Sequence, residues 1–297
     1  MFVLYLSLTI KNHTMKSILS LFLISISLSF TAQDLPNYQL FNAKGKRTTF
    51  KKMAKNSLDH QVVLFGEHHN NPICHWMQLK LTESLHSTTN LVLGAEMIET
   101  DNQEPLNRYL KGEIDQKAFD TLARLWSNHK TDYKPLVDYA KDKKLNFIAA
   151  NIPRRYASKV FKQDFPGLDS LTAEEKSWIA PLPIAFDINL PGYKSMLEMM
   201  GGHAGEKMPK AQAIKDATMA YFILKNLPVS GVFLHFNGTY HSDNYEGISW
   251  YLKHYNPKVS IMTIATVEQD QLKTLEKEHL KKADFILVVD KLMTKTY

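Results

Sequence analysis

The chain has 297 residues with a formal net charge of +6, and 44% of its residues are hydrophobic and 22% charged. This composition predicts one large or two small folded domains, and it excludes a disordered, collagen-like or coiled-coil protein as the main state. Cys74 is the single cysteine, which excludes an intramolecular disulfide, a Cys-rich zinc or iron–sulfur site and c-type haem attachment.

Lysine supplies 31 of the 36 basic residues, and these lysines are spread along the chain in short runs. Nucleic-acid-binding proteins usually concentrate Arg and Lys on one face. The charge distribution therefore indicates a solvated basic surface, and we expect no nucleic-acid partner.

The N-terminus resembles a targeting segment. An apolar and serine-containing run of 13 residues, Ile18–Phe30, follows Lys16 and precedes Ala32. A run this short with a positive flank is typical of a signal peptide and too short for a membrane span. We therefore predict a signal peptide over 1–32 and an exported protein that is periplasmic or associated with the cell envelope. No lipobox cysteine and no later transmembrane segment is expected.

The rest of the chain alternates between predicted strands and helices. The strands are short, β-branched and without polar alternation, which is typical of strands buried on both faces. They are expected at Gln61–Phe65, Leu91–Met97, Phe147–Ala150, Val229–Phe236, Val259–Ala265 and Phe285–Val289. Helices are expected from Pro72 to about Leu85 and over Thr131–Lys144, Lys210–Leu227 and Asn244–Tyr255. This order predicts an α/β fold with a mainly parallel central sheet flanked by helices.

One stretch interrupts the alternation. Residues 154–208 show helical patterns and Pro/Gly punctuation without a strand, so we predict an inserted all-helical subdomain there. The stretch 104–130 is also helical and could join it. The α/β domain would then comprise 33–153 and 209–297.

Polar side chains follow four of the predicted strands. Glu67, His69, Glu96, Asn151 and His241 all stand at or just after a strand end. Because ligands bind beyond the carboxyl ends of strands in open α/β sheets, these side chains indicate a site at one rim. The alternative interpretation is a buried polar network that fixes the geometry of the loops.

Histidine and carboxylate side chains can ligate a divalent metal or perform acid–base chemistry. The HExxH motif of common zinc proteases is absent. Two copies of a short Gly-x-x-His pattern are present, at Gly66 to His69 and at Gly238 to His241. Each copy alone is a weak signal.

Several blocks between residues 60 and 255 together resemble the ChaN-like haem-binding uptake proteins. The blocks lie at 66–72 with His75 and Gln78, 94–97, 106–112, 151–154, Gln212 with 216–220, and 237–241 with 247–248. This family belongs to a wider group with the TraB and Tiki proteins and the erythromycin esterases. The Tiki members resemble metal-dependent proteases that use paired Gly-x-x-His motifs with a glutamate. The resemblance therefore implies haem binding first, and a metal-dependent hydrolase acting at Glu67, His69, Glu96 and His241 as the alternative.

The resemblance also implies where haem binds. It places the haem in the helical subdomain at a homodimer interface, with Tyr193 as the iron ligand and His203 contributed across the dimer. It implies a role in haem uptake or storage, with an outer-membrane haem receptor as a further partner. A phenolate ligand favours ferric haem, and Met196 and Met200 share a helical face with Tyr193 and could form an adaptable apolar wall.

Spacing alone leaves alternatives open. A Tyr and Met stripe at helical spacing is more often part of a core than of a cofactor site, and Tyr156, Tyr221 and Tyr240 are rival iron ligands. Cys74 beside His75 is expected to be a small buried helix residue rather than a soft-metal ligand. We expect His129 and His254 at the surface.

Overall fold

A seven-stranded sheet lies at the centre of the chain. The computed structural model describes residues 36–199 and 205–297. The strands are β1 (Tyr38–Asn42), β2 (Val62–Glu67), β3 (Leu91–Glu99), β4 (Asn146–Asn151), β5 (Val232–Gly238), β6 (Ile261–Gln269) and β7 (Phe285–Asp290). Their order in the sheet is β1-β7-β6-β2-β5-β3-β4. Among the strands of the described residues, β1 runs antiparallel to its neighbour and the other pairs are parallel.

This topology confirms the predicted α/β fold with a mainly parallel sheet. Each of the six predicted strands overlaps an observed one, whereas the antiparallel edge strand β1 was not predicted. Every residue of β2 and β5 is buried, as expected for central parallel strands covered on both faces.

Ten α-helices and several short helical turns surround the sheet in the described part of the chain. The α-helices are α1 (Phe50–Ser57), α2 (Pro72–His86), α3 (Gln103–Leu110), α4 (Gln116–Leu122), α5 (Lys134–Lys143), α6 (Arg154–Gln163), α7 (Ala173–Lys176), α8 (Pro191–Met199), α9 (Lys207–Lys225) and α10 (Ile248–Tyr255). The 3₁₀ turns are Thr100–Asn102, Phe165–Leu168, Thr239–His241, Asp243–Tyr245 and Lys277–His279, and His129–Tyr133 is a π-helix.

The two faces of the sheet carry separate apolar layers. On one face, residues such as Met77 of α2 and Leu136 of α5 pack in one cluster with β2 to β5. On the other face, residues such as Ala217 of α9 and Tyr251 of α10 form a second cluster. The site described below therefore lies at the end of a sheet that is covered on both faces.

Local sequence signals explain where two helices begin. The Asn71 side chain accepts a hydrogen bond from the Ile73 backbone N–H at 3.0 Å, and Pro72 occupies the first turn of α2, as predicted. The helix predicted from Asn244 begins only at Ile248. Asn244 and Gly247 adopt positive φ angles of 58° and 53°, which cannot continue a right-handed helix, so this boundary was predicted wrongly.

The described residues of the predicted insertion, 154–199 and 205–208, contain α6, α7, α8 and the start of α9 but no strand. Tyr156 and Val160 of α6 pack with Ile179 and with Ile214 of α9 in a small cluster of their own. Residues Asn37–Tyr297 form one compact unit. The assignment of 154–208, with or without 104–130, as a separate subdomain stays a prediction.

The predicted signal peptide over 1–32 lies outside the described residues. Within 36–199 and 205–297, no helix combines the length and the apolar character needed to cross a bilayer.

Candidate functional site

Three neighbouring parallel strands bring the predicted polar residues together. Glu67 is the last residue of β2, Glu96 lies near the end of β3, and His241 closes the 3₁₀ turn that follows β5. Strand β5 lies between β2 and β3, so their carboxyl ends meet at one rim of the sheet. We call Glu67, His69, Glu96 and His241, together with Asp216 of α9, the strand-end cluster.

Glu67 and His69 form the first histidine–carboxylate pair of the cluster. His69 Nδ1 donates to Glu67 Oε1 at 2.8 Å, and the Tyr133 hydroxyl donates to the same oxygen at 2.7 Å. The Gln78 amide of α2 donates to Glu67 Oε2. Glu67 is buried, whereas the His69 side chain is 31% exposed. The pair therefore presents an oriented imidazole at the surface of the cleft.

Glu96, His241 and Asp216 form the second group. His241 Nε2 lies 3.1 Å from Glu96 Oε1, and its Nδ1 lies 2.5 Å from Asp216 Oδ1. The Gln212 amide lies 2.7 Å from the same Nδ1. All four side chains are buried. One imidazole is thus held between two carboxylates.

Gly238 lies between the two groups, and because it has no side chain, His69 and Glu96 can both lie close to it. A side-chain Cβ at this position would lie 2.8 Å from His69 Nε2 and 3.5 Å from Glu96 Oε2. The Gly238 backbone N–H donates to Glu96 Oε2 at 2.7 Å. Any larger residue at this position would have to shift the His69 ring.

The charged side chains of the cluster shift one another's pKa values. Burial opposes protonation of His241, but the charges of Glu96 and Asp216 and their hydrogen bonds outweigh it and raise the pKa of His241 to about 10. Burial favours the neutral acid at Glu96, yet the charge and hydrogen bond of His241 and the charge of His69 hold the pKa of Glu96 well below its usual range. At neutral pH the buried group is therefore an imidazolium paired with carboxylate.

The pKa of His69 is set by the same opposing effects, although its side chain is more exposed than that of His241. Burial lowers the pKa of His69, but the hydrogen bond to Glu67 and the charges of Glu96 and Glu67 raise it overall. An imidazole with a raised pKa and a partly exposed ring can donate or accept a proton at the cleft.

The strand-end cluster opens on a cleft of about 500 Å³. Its walls include Glu67, His69, Gln212, Gly238, Tyr240 and His241. Volumes of this size suit small ligands.

The geometry of the cluster is that of ion pairs rather than of a preformed metal cage. Among residues 36–199 and 205–297, three or more His, Cys, Asp or Glu side chains bring their ligand atoms within 4.8 Å of one another only at Glu276, Glu278 and His279. The strand-end side chains would have to rearrange to surround a divalent ion.

Asn151 and His235 lie near the same rim but outside these two groups. Asn151 ends β4, and its buried Oδ1 has no hydrogen-bond partner within the described residues. His235 is buried in β5, with Nδ1 lying 3.2 Å from Asn237 Oδ1. Burial lowers the pKa of His235 to about 4, so this ring is neutral. The structure thus brings four of the five predicted strand-end residues into one cluster.

Tyr193 lies in a different environment. It is 4% exposed on α8, and Phe186 stacks on its ring with the centroids 5.5 Å apart. The hydroxyl is buried, and no described residue lies in good hydrogen-bonding geometry to it, although the Tyr251 hydroxyl is close enough to affect its pKa. Met196 is buried in the same apolar cluster. The predicted site residues Met200 and His203 lie outside the described residues.

Tyr193 also lines a cavity of about 350 Å³ that contains Asp216 and Tyr240. Burial, the negative charge of Asp216 and the nearby Tyr251 hydroxyl raise the pKa of Tyr193 far above its usual value. The Tyr240 hydroxyl donates to the Gly192 carbonyl at 2.8 Å, and the Gly192 N–H donates to Glu246 at 2.6 Å. The first turn of α8 is therefore joined to the loop that carries His241.

The rival tyrosines have other surroundings. Tyr156 is buried, and its hydroxyl donates to Glu175 at 2.9 Å. Tyr221 is half-buried, and Tyr240 is exposed with its hydroxyl paired as described. Of the candidate iron ligands, Tyr193 combines burial with a hydroxyl that lacks a partner among the described residues.

The burial of three further residues tests what the sequence predicted for each of them. Cys74 is fully buried in α2 as expected, and burial raises the pKa of its thiol to about 12. His254 is exposed as expected. The prediction for His129 is wrong, because this first residue of the π-helix is buried with its ring against Phe119.

The sequence analysis assigned no site role to several residues that build the cluster, although Gln78, Gln212 and Asp216 lie in the blocks that resemble the family. Tyr133, Asp216, Gln78 and Gln212 supply hydrogen bonds or charge from helices rather than from strand ends. Asp216 gave the clearest available signal, since it is the single acidic residue of α9.

Comparison with known proteins gives one family and several similar structures, of which two are described here. The sequence profile of the family described as "Haem-binding uptake, Tiki superfamily, ChaN" matches residues 53–252. One similar structure is that of ChaN from Campylobacter jejuni, which is described as showing cofacial haem binding. Its TM-score is 0.65 at 17% sequence identity, and the match covers 87% of this chain and 99% of that chain. A mutant of the erythromycin esterase EreC in its open conformation is similar with a TM-score of 0.50 at 8% identity, over 87% of this chain and 100% of that one.

Comparison with curated protein sequences gives no match. At these identities the two structural similarities show a shared fold alone. The family profile covers more than half of the chain, and it includes the whole strand-end cluster and Tyr193. The chain therefore belongs to the haem-binding uptake family of the Tiki superfamily, the ChaN family.

Proposed function

We propose that this protein binds haem through Tyr193, in haem uptake or storage. The observation that carries the proposal is the Tyr193 hydroxyl, which is buried without a hydrogen-bond partner among the described residues. Leaving such a group unpaired costs about 1–3 kcal/mol, which a phenylalanine would avoid. A ligand that engages the hydroxyl accounts for a tyrosine at this position.

The surroundings of Tyr193 fit a flat apolar ligand. Phe186, Met196 and the ring of Tyr193 itself form an apolar wall. Haem iron supplies a Lewis acid that a phenolate oxygen can ligate. Tyr193 holds its proton in the ligand-free chain, because burial and Asp216 raise its pKa, so haem binding through this oxygen must release that proton.

Room for the ligand must come from α8. The cavity beside Tyr193 has a volume of about 350 Å³, at the lower end of the range for ligand sites. We propose that α8 moves outward on binding, by giving up the contacts of Gly192 with Tyr240 and Glu246. In the proposed complex, His203 of a second copy approaches the open face of the haem and Met200 extends the apolar wall.

Two further parts of the proposal rest on the sequence. The predicted signal peptide over 1–32 supports export to the periplasm or cell envelope. An exported haem carrier would exchange haem with an outer-membrane receptor, which we propose as a partner.

A haemin titration followed by absorbance tests the proposal. We expect a saturable change near one haem per chain in the wild type, its loss in Tyr193→Phe and its retention in Tyr156→Phe. Tyr156→Phe is the matched control because it removes a buried tyrosine hydroxyl that already has a partner. A flat wild-type titration, or one that Tyr193→Phe leaves unchanged, contradicts the proposal.

The strand-end cluster supports a second candidate, a hydrolase. The specific observation is the oriented imidazole of His69 at an open cleft, paired with Glu67 and close to Glu96. Such an arrangement can transfer protons, with or without a divalent metal. Hydrolysis of p-nitrophenyl acetate by the wild type and by His69→Gln tests it, with the metal content of the purified chain measured in parallel. Equal rates for the two proteins contradict a hydrolytic role for His69.

A further inference from the structure

A second cleft lies beside the strand-end cluster, and three arginines line it. Its volume is about 1000 Å³, twice that of the cleft over the cluster. Arg124, Arg154 and Arg155 line it, and they are three of the five arginines in the chain. Since lysine outnumbers arginine 31 to 5, this concentration of arginine in one cleft is not a consequence of composition. We call it the arginine cleft.

Two carboxylates hold two of these guanidinium groups in place. Asp101 is buried and contacts both Arg124 and Arg155, the latter at 2.6 Å. Glu99 accepts from Arg124 Nη2 at 3.0 Å and from its Nε at 3.2 Å. Each guanidinium has five N–H donors, so both groups keep donors to offer to a ligand in a fixed orientation.

Arg154 is the uncompensated cation of the cleft. Its backbone N–H donates to Glu99 Oε1 at 3.1 Å, but its exposed side chain makes no hydrogen bond or ion pair with any residue that the structure describes. Three guanidinium groups face two carboxylate side chains, and Arg154 is the one that pairs with neither through its side chain. Its charge is available to a ligand.

The other residues that line the cleft indicate the chemistry of the rest of a ligand. Ser127 and Ser158 contribute hydroxyl groups, and Leu125 and Trp126 contribute apolar surface. Planar guanidinium groups bind carboxylate and phosphate oxygens bidentately, which a lysine ammonium group cannot do. The chemistry of the cleft therefore matches an oxyanion group attached to an apolar body.

The arginine cleft adjoins the strand-end cluster. The Trp126 ring packs edge-on against His69, with the ring centroids 4.8 Å apart. Asn128 lines the cleft and donates from its side chain to the His69 carbonyl at 3.0 Å. Tyr297 lines both clefts. An occupant of the arginine cleft would therefore lie next to the imidazole of His69.

We propose that the arginine cleft is an oxyanion-binding subsite, in which Arg154 with Arg124 and Arg155 takes the carboxylate or phosphate group of a ligand that extends toward His69. This site is separate from Tyr193 and does not depend on haem binding.

Isothermal titration calorimetry of the full chain with inorganic phosphate and, separately, with succinate tests the proposal. We expect saturable binding of at least one probe. Binding of phosphate alone assigns a phosphate group to the subsite, binding of succinate alone assigns a carboxylate, and binding of both supports the shared oxyanion chemistry.

Substitutions at Arg154 make the test specific. Arg154→Gln should weaken binding at least about tenfold, as expected when one charge-assisted donor group is lost. Arg154→Lys should restore part of the affinity, because it keeps the charge but not the bidentate geometry. The matched control is Arg108→Gln, an exposed arginine outside the cleft whose partner is Glu104. Absence of binding by both probes, or equal binding by Arg154→Gln, overturns the proposal.

Discussion

The strand-end cluster and the Tyr193 region differ in how their polar groups are satisfied. In the cluster, Glu67, Glu96 and His241 all have hydrogen-bond or ion-pair partners within the chain. At Tyr193, a polar hydroxyl is buried in apolar surroundings without a partner among the described residues. The first region is complete in the folded chain, whereas under our proposal the second gains its partner when haem binds. This difference is why we assign haem binding to Tyr193 and a positioned acid–base group to the cluster.

The largest expected effect concerns His241, which lies between Glu96 and Asp216. His241→Ala leaves Glu96 and Asp216 buried without their common cation, which should lower the free energy of unfolding by about 3–5 kcal/mol. Urea denaturation measures this loss. His254→Ala removes an exposed histidine and should stay within about 0.5 kcal/mol of the wild type. Equal stabilities for the two variants would show that the cluster does not stabilise the fold.

The pH dependence of stability should identify the same group. The pKa of His241 is raised in the folded chain from 6.5 to about 10, so its stabilising contribution is complete below pH 6.5 and is lost as pH rises toward 10. Wild-type stability should therefore decline over this interval more steeply than that of His241→Gln. Parallel curves for the two proteins between pH 6.5 and pH 10 would contradict a charged His241.

Tyr193→Phe should act in the opposite direction on stability. Removing an unpaired buried hydroxyl should raise the free energy of unfolding of the haem-free protein, by up to about 1–3 kcal/mol. Tyr156→Phe removes a buried hydroxyl that has a partner and should lower it by about 1 kcal/mol. Thermal and urea denaturation of both variants without haem provide the comparison. A destabilised Tyr193→Phe would mean that the hydroxyl already has a structural role.

The last prediction concerns the pH dependence of haemin binding. Because burial and Asp216 raise the pKa of Tyr193, binding through its phenolate must release one proton. Haemin affinity should then increase with pH, by up to about tenfold per pH unit below that pKa. Absorbance titrations at three pH values measure the slope. An affinity that does not change with pH would argue against Tyr193 as the ligand.

The fold was largely predictable from the sequence. Central strands such as β2 are uninterrupted apolar runs, because both of their faces are covered. Strand β1 was missed because its sequence is mixed and only Leu40 and Phe41 are buried, as befits an edge strand. The start of α10 was misplaced because positive φ angles at Asn244 and Gly247 leave no distinctive sequence signature beyond the glycine itself.

The site was predictable only in part. Glu67, Glu96 and His241 follow buried strands, and the parallel topology brings such positions together. Tyr133 and Asp216 reach the cluster from helices, whose packing against the sheet is set by tertiary contacts rather than by local spacing. The arginine cleft was not predicted for the same reason, since Arg124 and Arg154 are distant in sequence and meet only in the folded chain.

The most direct test of the account is a haemin titration of Tyr193→Phe and His69→Gln beside the wild type. His69 is the partly exposed member of the cluster, so its substitution alters that site with little disturbance of the core. The account predicts that the saturable absorbance change disappears in Tyr193→Phe and persists at one haem per chain in His69→Gln. The reverse result, binding lost in His69→Gln and kept in Tyr193→Phe, would place the haem at the strand-end cluster and contradict the assignment to Tyr193.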